Sequence, residues 1–168
     1  MSVIIIEGID RVGKTTLANL IKRKFDAKVF KDKMLVAEDM KDRTIITEKI
    51  ATTVNMLKLW PADKMLVIDR FHLSEVVYGI LDREYVNNDM RKIDDMLSEI
   101  KGIQLILVEP TDIEWSSNQH GSDLENHKKL FDLVYEESKI KDKIKCNYKD
   151  FDYVLKMLEA KKVFKWFD

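Results

Sequence analysis

Short apolar runs alternate along the chain with longer segments in which apolar residues recur at helical spacing. Val3–Glu7, Lys64–Asp69 and Gln104–Val108 are rich in aliphatic residues, and such continuous runs are typical of strands that are buried on both faces. Lys28–Lys31 and Ile144–Tyr148 are shorter or weaker candidates. The pattern therefore predicts five strands.

Helical periodicity fills the segments between these runs. Lys14–Phe25, for example, places Leu17, Leu20 and Ile21 on one face of a helix. Further helices are predicted over Thr44–Trp60, Leu73–Leu81, Asn88–Ile100, Asp123–Lys139 and Tyr153–Phe167. Because alternating strands and helices build βαβ units, we expect a three-layer α/β/α fold around a five-stranded, mostly parallel sheet.

Composition narrows the class of protein further. The 168 residues contain no Gly-, Pro- or Ser-rich linker, so residues 1–168 are expected to form a single domain. A net charge of −1 argues against a nucleic-acid or membrane-surface partner. No apolar run is long enough to span a membrane, and the first residues lack the basic region of a signal peptide, so a cytoplasmic protein is expected.

A glycine-bounded loop follows the first predicted strand. The segment from Gly8 to Thr15 fits the G-x-x-x-x-G-K-[ST] pattern of a Walker A loop, whose backbone N–H groups surround phosphate oxygens. Lys14 is placed to reach the β- and γ-phosphates, and the Thr15 hydroxyl can ligate Mg²⁺. The expected ATP-binding residues are Gly8, Val12, Gly13, Lys14, Thr15 and Thr16.

A carboxylate and a guanidinium follow a second buried strand. Asp69 ends the run Lys64–Asp69, and Arg70 comes directly after it. Because ligands of parallel sheets gather at the carboxyl ends of the strands, both side chains are expected beside the glycine loop. Asp69 can share Mg²⁺ with Thr15 or accept a proton, and Arg70 suits bidentate binding of a second phosphate.

These two stretches resemble the thymidylate kinases, a family of P-loop deoxynucleoside monophosphate kinases. "IEGIDRVGKTT", from Ile6 to Thr16, matches the family's E-G-x-D-x-x-G-K-[ST]-T loop, and "DRFHLSEVVYG", from Asp69 to Gly79, matches its D-R-[YFH]-x-x-S-x-x-[AV]-[YF] stretch. The resemblance implies a P-loop NTPase fold. It also implies transfer of the γ-phosphoryl group from ATP, with Mg²⁺, to a deoxynucleoside monophosphate, with dTMP or a related pyrimidine as the expected acceptor.

The same resemblance implies roles for individual residues. Asp10 would lie near the 3′-hydroxyl of the acceptor sugar, and Arg11 near the transferring phosphoryl group. Arg70 would bind the acceptor phosphate, while Ser74 and Tyr78 would line the nucleoside pocket. The implied catalytic residues are Lys14, Arg11, Asp69 and Arg70.

Thymidylate kinases differ in where they carry a catalytic arginine, which lies either in the phosphate loop or in a mobile lid. The lid is expected here near residues 115–122, a segment that contains neither arginine nor lysine. Because Arg11 lies in the loop and the expected lid has no cation, the chain resembles the loop-arginine type.

Several alternatives stay open at the level of sequence. A deoxynucleoside kinase would use a hydroxyl acceptor, and a P-loop regulator would bind nucleotide without phosphotransfer. Lys31 and Lys33 follow the second strand and suit either an acceptor phosphate or plain solvation. His72, His120 and His127 lack metal-ligand spacing, so each is expected in a surface or capping role. A homodimer is compatible with all of these readings.

Overall fold

The computed structural model describes residues 2–31, 43–61, 63–84, 86, 88–111 and 123–164. The lid expected near residues 115–122 lies outside the described residues. The strands are β1 (Ser2–Glu7), β2 (Lys28–Lys31), β3 (Met65–Asp69), β4 (Ile103–Val108) and β5 (Lys143–Cys146). They form one sheet in the order β2-β3-β1-β4-β5, and every pairing is parallel. The predicted α/β fold and its five strands are confirmed.

The helices begin within two residues of their predicted starts. They are α1 (Lys14–Phe25), α2 (Arg43–Lys58), α3 (His72–Asp82), α4 (Asp89–Ser98), α5 (Asp123–Glu137) and α6 (Phe151–Phe164). The connection through α1 runs from β1 toward one edge of the sheet, whereas the later connections run toward the other edge. Right-handed crossovers therefore place α1 on one face and α2 to α5 on the other. Contacts between α1 and α6, and between α3 and both α4 and α5, agree with this arrangement.

The two central strands explain the continuous apolar runs. Val3, Ile4, Ile5 and Ile6 of β1 have no exposed surface, and all six residues of β4 are buried. A strand with helices on both sides must be apolar on both faces, which removes the alternation seen in half-exposed strands. Among the described ranges, no helix has the length and apolar character that a membrane span requires.

The end of β5 corrects one predicted boundary. The run Ile144–Tyr148 was expected to be a strand throughout, but pairing stops at Cys146. Asn147 caps the short 3₁₀ helix Tyr148–Asp150: its side chain accepts the N–H of Lys149, and the Asp150 carboxylate accepts the N–H of Asn147, both at 2.9 Å. This capping box turns the chain directly into α6.

Candidate active site

The glycine loop joins β1 to α1, and each of its two glycines is required by the backbone. Gly8 has a φ of 135°, and a Cβ there would lie 2.3 Å from the carbonyl oxygen of Val108. Gly13 has a φ of 96° and caps α1, where a Cβ would lie 3.2 Å from the ring of Phe151. Only glycine combines this left-handed geometry with such close neighbours. The amino end of α1 consequently faces the loop, as an anion site needs.

Lys14 lies inside this loop. Only 5% of the residue is exposed, and its ammonium donates a hydrogen bond to the carbonyl oxygen of Ile9. Burial lowers the pKa of Lys14 to about 8, although the carboxylates of Asp69 and Glu7 favour the charged form. The loop therefore surrounds a desolvated cation, whose attraction for a phosphate is stronger than that of a surface lysine.

A hydrogen bond joins the two predicted motifs, between Thr15 after the glycine loop and Asp69 at the end of β3. The Thr15 hydroxyl donates to Oδ2 of Asp69 at 2.6 Å, because β3 pairs with β1 in a register that places Asp69 beside Ile6. Among the residues that the structure describes, no group of three or more His, Cys, Asp or Glu side chains is arranged to hold a metal. Kinase Mg²⁺ takes one or two protein oxygens together with substrate phosphates, and Thr15 and Asp69 fit that donor set.

Arg70 occupies a sharp corner directly after β3. Its backbone is left-handed, with a φ of 73°, and its N–H donates to the carbonyl oxygen of Ile6 at 2.9 Å. The guanidinium forms an ion pair with Asp10 and lies 5.1 Å from the ring centre of Tyr78. Burial raises the pKa of the Tyr78 hydroxyl, and the nearby Arg70 charge opposes that shift. The Arg70 side chain is therefore held from several sides.

Arg11 also has left-handed backbone, with a φ of 67°, but its side chain is exposed at the tip of the loop. It faces a cavity of about 410 Å³ at the carboxyl ends of β1, β2 and β3. The cavity is lined by Asp10, Arg11, Gly13, Lys14, Thr15, Thr16, Lys31, Asp69 and Arg70. With four cations and two carboxylates in its wall, the cavity is suited to a ligand that carries several negative charges.

The remaining predicted residues lie outside this cavity wall. Gly8 adjoins the backbone of Val108, Val12 is a buried residue of the loop, and the Tyr78 ring lies against the Arg70 guanidinium. Ser74 is buried, and its hydroxyl donates to Glu7. The predicted contact between Ser74 and a nucleoside stays a prediction. Lys31, which was open as an acceptor-site residue, lines the cavity and pairs in register with Asp69.

Glu7 is a residue of the site that the sequence reasoning did not single out. The last residue of β1, it has no exposed surface, yet its carboxylate accepts the N–H groups of Phe71 and Leu73, each at 3.0 Å. Burial raises the pKa of Glu7, and the neighbouring His72 opposes that shift. Two signals were available: a single acid at the end of an otherwise apolar run, and the place of Glu7 as the first residue of the matched E-G-x-D loop pattern.

His72 corrects the expectation of a surface role. The residue is 1% exposed, and its Nε2 lies 2.9 Å from Oδ1 of Asp94 on α4. Asp94 also accepts the Ser138 hydroxyl and the N–H of Lys139, both at 2.6 Å. Burial alone would raise the pKa of Asp94, but these donors outweigh it and lower the pKa. His127 bonds Asp82 at 2.9 Å, and His120 lies outside the described part of the chain.

Comparison with known proteins finds solved structures of similar fold. No family model matches the chain, and no curated protein matches its sequence. The YorR protein from Bacillus subtilis, in complex with phosphorylated GDP, superposes with a TM-score of 0.76. It is 16% identical, and the match covers 99% of both chains.

Two kinases of known structure also match over nearly the whole chain. Thymidylate kinase from Candida albicans is 17% identical with a TM-score of 0.60, and the match covers 98% of this chain and 92% of that one. Deoxyadenosine kinase from M. mycoides, solved with dCMP and dCDP, is 15% identical with a TM-score of 0.59, and the coverages are 95% and 97%. At these identities the likeness establishes architecture: the chain has the fold of the P-loop nucleotide kinases.

Proposed function

We propose that this protein is an ATP- and Mg²⁺-dependent phosphotransferase whose acceptor is a deoxynucleoside monophosphate, with dTMP or a related pyrimidine as the first candidate. One observation carries the proposal: a single cavity is lined both by a glycine loop that contains Lys14 and by the guanidinium of Arg70, which follows β3. Two anion sites in one cavity match a reaction between two phosphorylated molecules. The nucleotide complexes of structural neighbours support the same class of ligand.

The donor half of the reaction belongs to the loop. Backbone N–H groups and Lys14 would bind the β- and γ-phosphates of ATP. Thr15 and Asp69 would hold Mg²⁺ through their side-chain oxygens, and the ion would offset negative charge on the donor phosphates. Arg11, at the exposed tip of the loop, would contact the phosphoryl group during transfer, when charge on its oxygens must be stabilised.

The acceptor half belongs to the turn after β3. Arg70 would bind the acceptor phosphate with two parallel N–H···O bonds, which hold the attacking oxygen in line with the donor. Asp10 would hold the sugar hydroxyl, and Tyr78 would support the guanidinium from behind. Pyrimidine preference rests on the motif resemblance. A homodimer and a cytoplasmic location stay predictions.

A deoxynucleoside kinase is the second candidate, and one contact favours it. Asp10 already forms an ion pair with Arg70, so the guanidinium is partly neutralised before any acceptor binds. A hydroxyl acceptor would not need that charge, and Asp10 or Asp69 could then accept the hydroxyl proton. The likeness to a deoxyadenosine kinase is compatible with this alternative.

A panel of acceptors separates these functions. The protein would be mixed with ATP and Mg²⁺ and with each of the common deoxynucleosides and their monophosphates, and ADP release would be measured. Turnover with monophosphates, highest with dTMP, is the expected result. Turnover with nucleosides alone would establish the second candidate, and nucleotide binding without any turnover would indicate a regulator.

The matched control is Lys14→Ala, checked for folding by its thermal transition. Loss of the buried ammonium should abolish ADP release with every acceptor, because Arg11, the other cation of the loop, is expected to contact only the group in transfer and cannot replace Lys14 at the β- and γ-phosphates. Near-normal turnover by a folded Lys14→Ala protein would contradict the proposal.

A further inference from the structure

Helix α3 begins without a capping side chain of its own. Its N-cap residue is Phe71, which makes no side-chain hydrogen bond because a phenyl ring has no acceptor atom. The first N–H groups of a helix have no partner inside the helix, and a buried N–H needs one. The turn between β3 and α3 must therefore obtain its acceptors from another element.

Glu7 supplies those acceptors from β1. Its Oε1 accepts the N–H groups of Phe71 and Leu73, each at 3.0 Å, and its Oε2 accepts the Ser74 hydroxyl. The carboxylate also places negative charge at the positive end of α3. A fully buried acid is unfavourable unless such donors surround it, so the contacts identify a specific role for this side chain.

Arg70 lies at the corner of this turn. The N–H of Arg70 bonds to the carbonyl oxygen of Ile6, and the N–H of Phe71 bonds to the Glu7 carboxylate. The last two residues of β1 therefore hold the backbone on both sides of the Arg70 Cα. Left-handed backbone is unfavourable for arginine and persists where neighbouring contacts enforce it. The same strand runs directly into the phosphate loop at Gly8.

We propose that Glu7 is a positioning residue that fixes Arg70 relative to the phosphate loop and thereby sets the affinity for a phosphorylated acceptor. This inference rests on the proposed function. It adds that acceptor binding depends on a side chain that touches neither nucleotide. A buried acid that merely supported the fold would change stability and leave the balance between donor and acceptor binding unaltered.

The test is Glu7→Gln, which keeps the size of the side chain but removes its charge and one acceptor atom. Measured at pH 7, the KM for the monophosphate acceptor should rise about tenfold. Donor affinity should stay within about twofold, because the loop backbone is retained and Lys14, with a pKa of about 8, loses only one of the two carboxylates that favour its charged form. The amide hydrogens of Phe71 and Leu73 should also exchange faster, which reports on the cap without reference to catalysis.

Glu75→Gln is the matched control. Glu75 is also a buried acid on the same helix, but its carboxylate accepts from Arg83 at 2.6 Å. This variant should lose stability without a change in acceptor KM. If Glu7→Gln does not fold, Glu7→Asp keeps the charge but shortens the reach to the N–H groups of Phe71 and Leu73, and it should give a smaller shift in acceptor KM in the same direction.

The outcomes separate the inference from the function on which it rests. An unchanged acceptor KM in active Glu7→Gln enzyme, or an equal rise in Glu75→Gln, would overturn the inference. If the wild-type protein transfers to no monophosphate, the proposed function fails instead. Calorimetric binding of dTMP to wild type and Glu7→Gln then decides the inference, and equal affinities together with unaltered amide exchange would overturn it.

Discussion

Two arginines border the cavity in left-handed backbone, and they differ in how far they are exposed to solvent. Arg70 is paired with Asp10, lies against the Tyr78 ring and is anchored through its N–H to Ile6. Arg11 has a similar φ but lies exposed on the loop between Gly8 and Gly13. The Arg70 side chain is 27% exposed and fixed by these contacts, whereas Arg11 is an exposed residue.

This difference predicts separate roles for the two arginines. A preorganised arginine loses little side-chain entropy on binding, so it can contribute affinity to a ground-state complex. An arginine beside the transferring phosphoryl group lowers the barrier if its interaction strengthens as charge develops there, and the place of Arg11 in the phosphate loop suits that role. We therefore expect Arg70 to govern acceptor binding and Arg11 to govern the rate of transfer.

Removing Arg11 should have the largest effect. Arg11→Gly should lower kcat by about 10³-fold, the lower end of what arginines in this role contribute, while donor Kd should change only a few-fold. Glycine tolerates the φ of 67°, so the backbone should be undisturbed. Steady-state kinetics beside the exposed-site control Arg91→Ala would test this prediction. A kcat within a few-fold of wild type would mean that Arg11 is a surface residue without a catalytic role.

Replacing Arg70 should act on the acceptor. Arg70→Lys keeps the charge and meets the same left-handed backbone, so any change reflects the lost bidentate contact. The acceptor KM should rise by roughly 30- to 100-fold, and the donor Kd should be unchanged. Equal losses in donor and acceptor binding would remove the distinction between the two arginines.

The position of Arg70 is also expected to depend on contacts of α3 other than those with Glu7. Asp94→Asn would weaken the contacts to His72 and Ser138, and we expect a loss of about 2 kcal/mol in the free energy of unfolding at pH 7. Because the pKa of Asp94 is lowered in the fold, its charge stabilises the protein above the unfolded-state pKa of about 3.9, and this stabilisation is lost as the pH falls further.

The check is denaturant unfolding of Asp94→Asn and wild type at pH 7 and pH 3. The difference between the two proteins should shrink at the lower pH. A difference that is constant with pH would show that the carboxylate charge contributes nothing to the anchoring of α3.

The Tyr78 ring should contribute least. Tyr78→Phe keeps the aromatic face beside Arg70, so the acceptor KM should stay within about threefold of wild type. Tyr78→Leu removes the face, and the KM should rise about fivefold. An effect of Tyr78→Phe as large as that of Tyr78→Leu would assign the contribution to the hydroxyl.

Local patterns in the sequence were sufficient for the architecture and for both motifs. The apolar runs of β1, β3 and β4 follow from burial on two faces, and the phosphate loop depends on glycines that adjoin it in sequence. Asp69 and Arg70 were predictable because the carboxyl ends of parallel strands meet at one edge. Each of these properties is encoded within about ten consecutive residues or follows from a general rule of sheet topology.

Tertiary structure decided the partners of the charged side chains. Asp10 adjoins Arg11 in sequence but pairs with Arg70, sixty positions away. Glu7 caps a helix whose N-cap lies sixty-four positions later, and His72 is buried against an acid of another helix. Such contacts depend on strand register and helix packing, which no local pattern contains. The sequence by itself determined which chemical groups reach the edge of the sheet, and only the fold decided which of them hold one another in place.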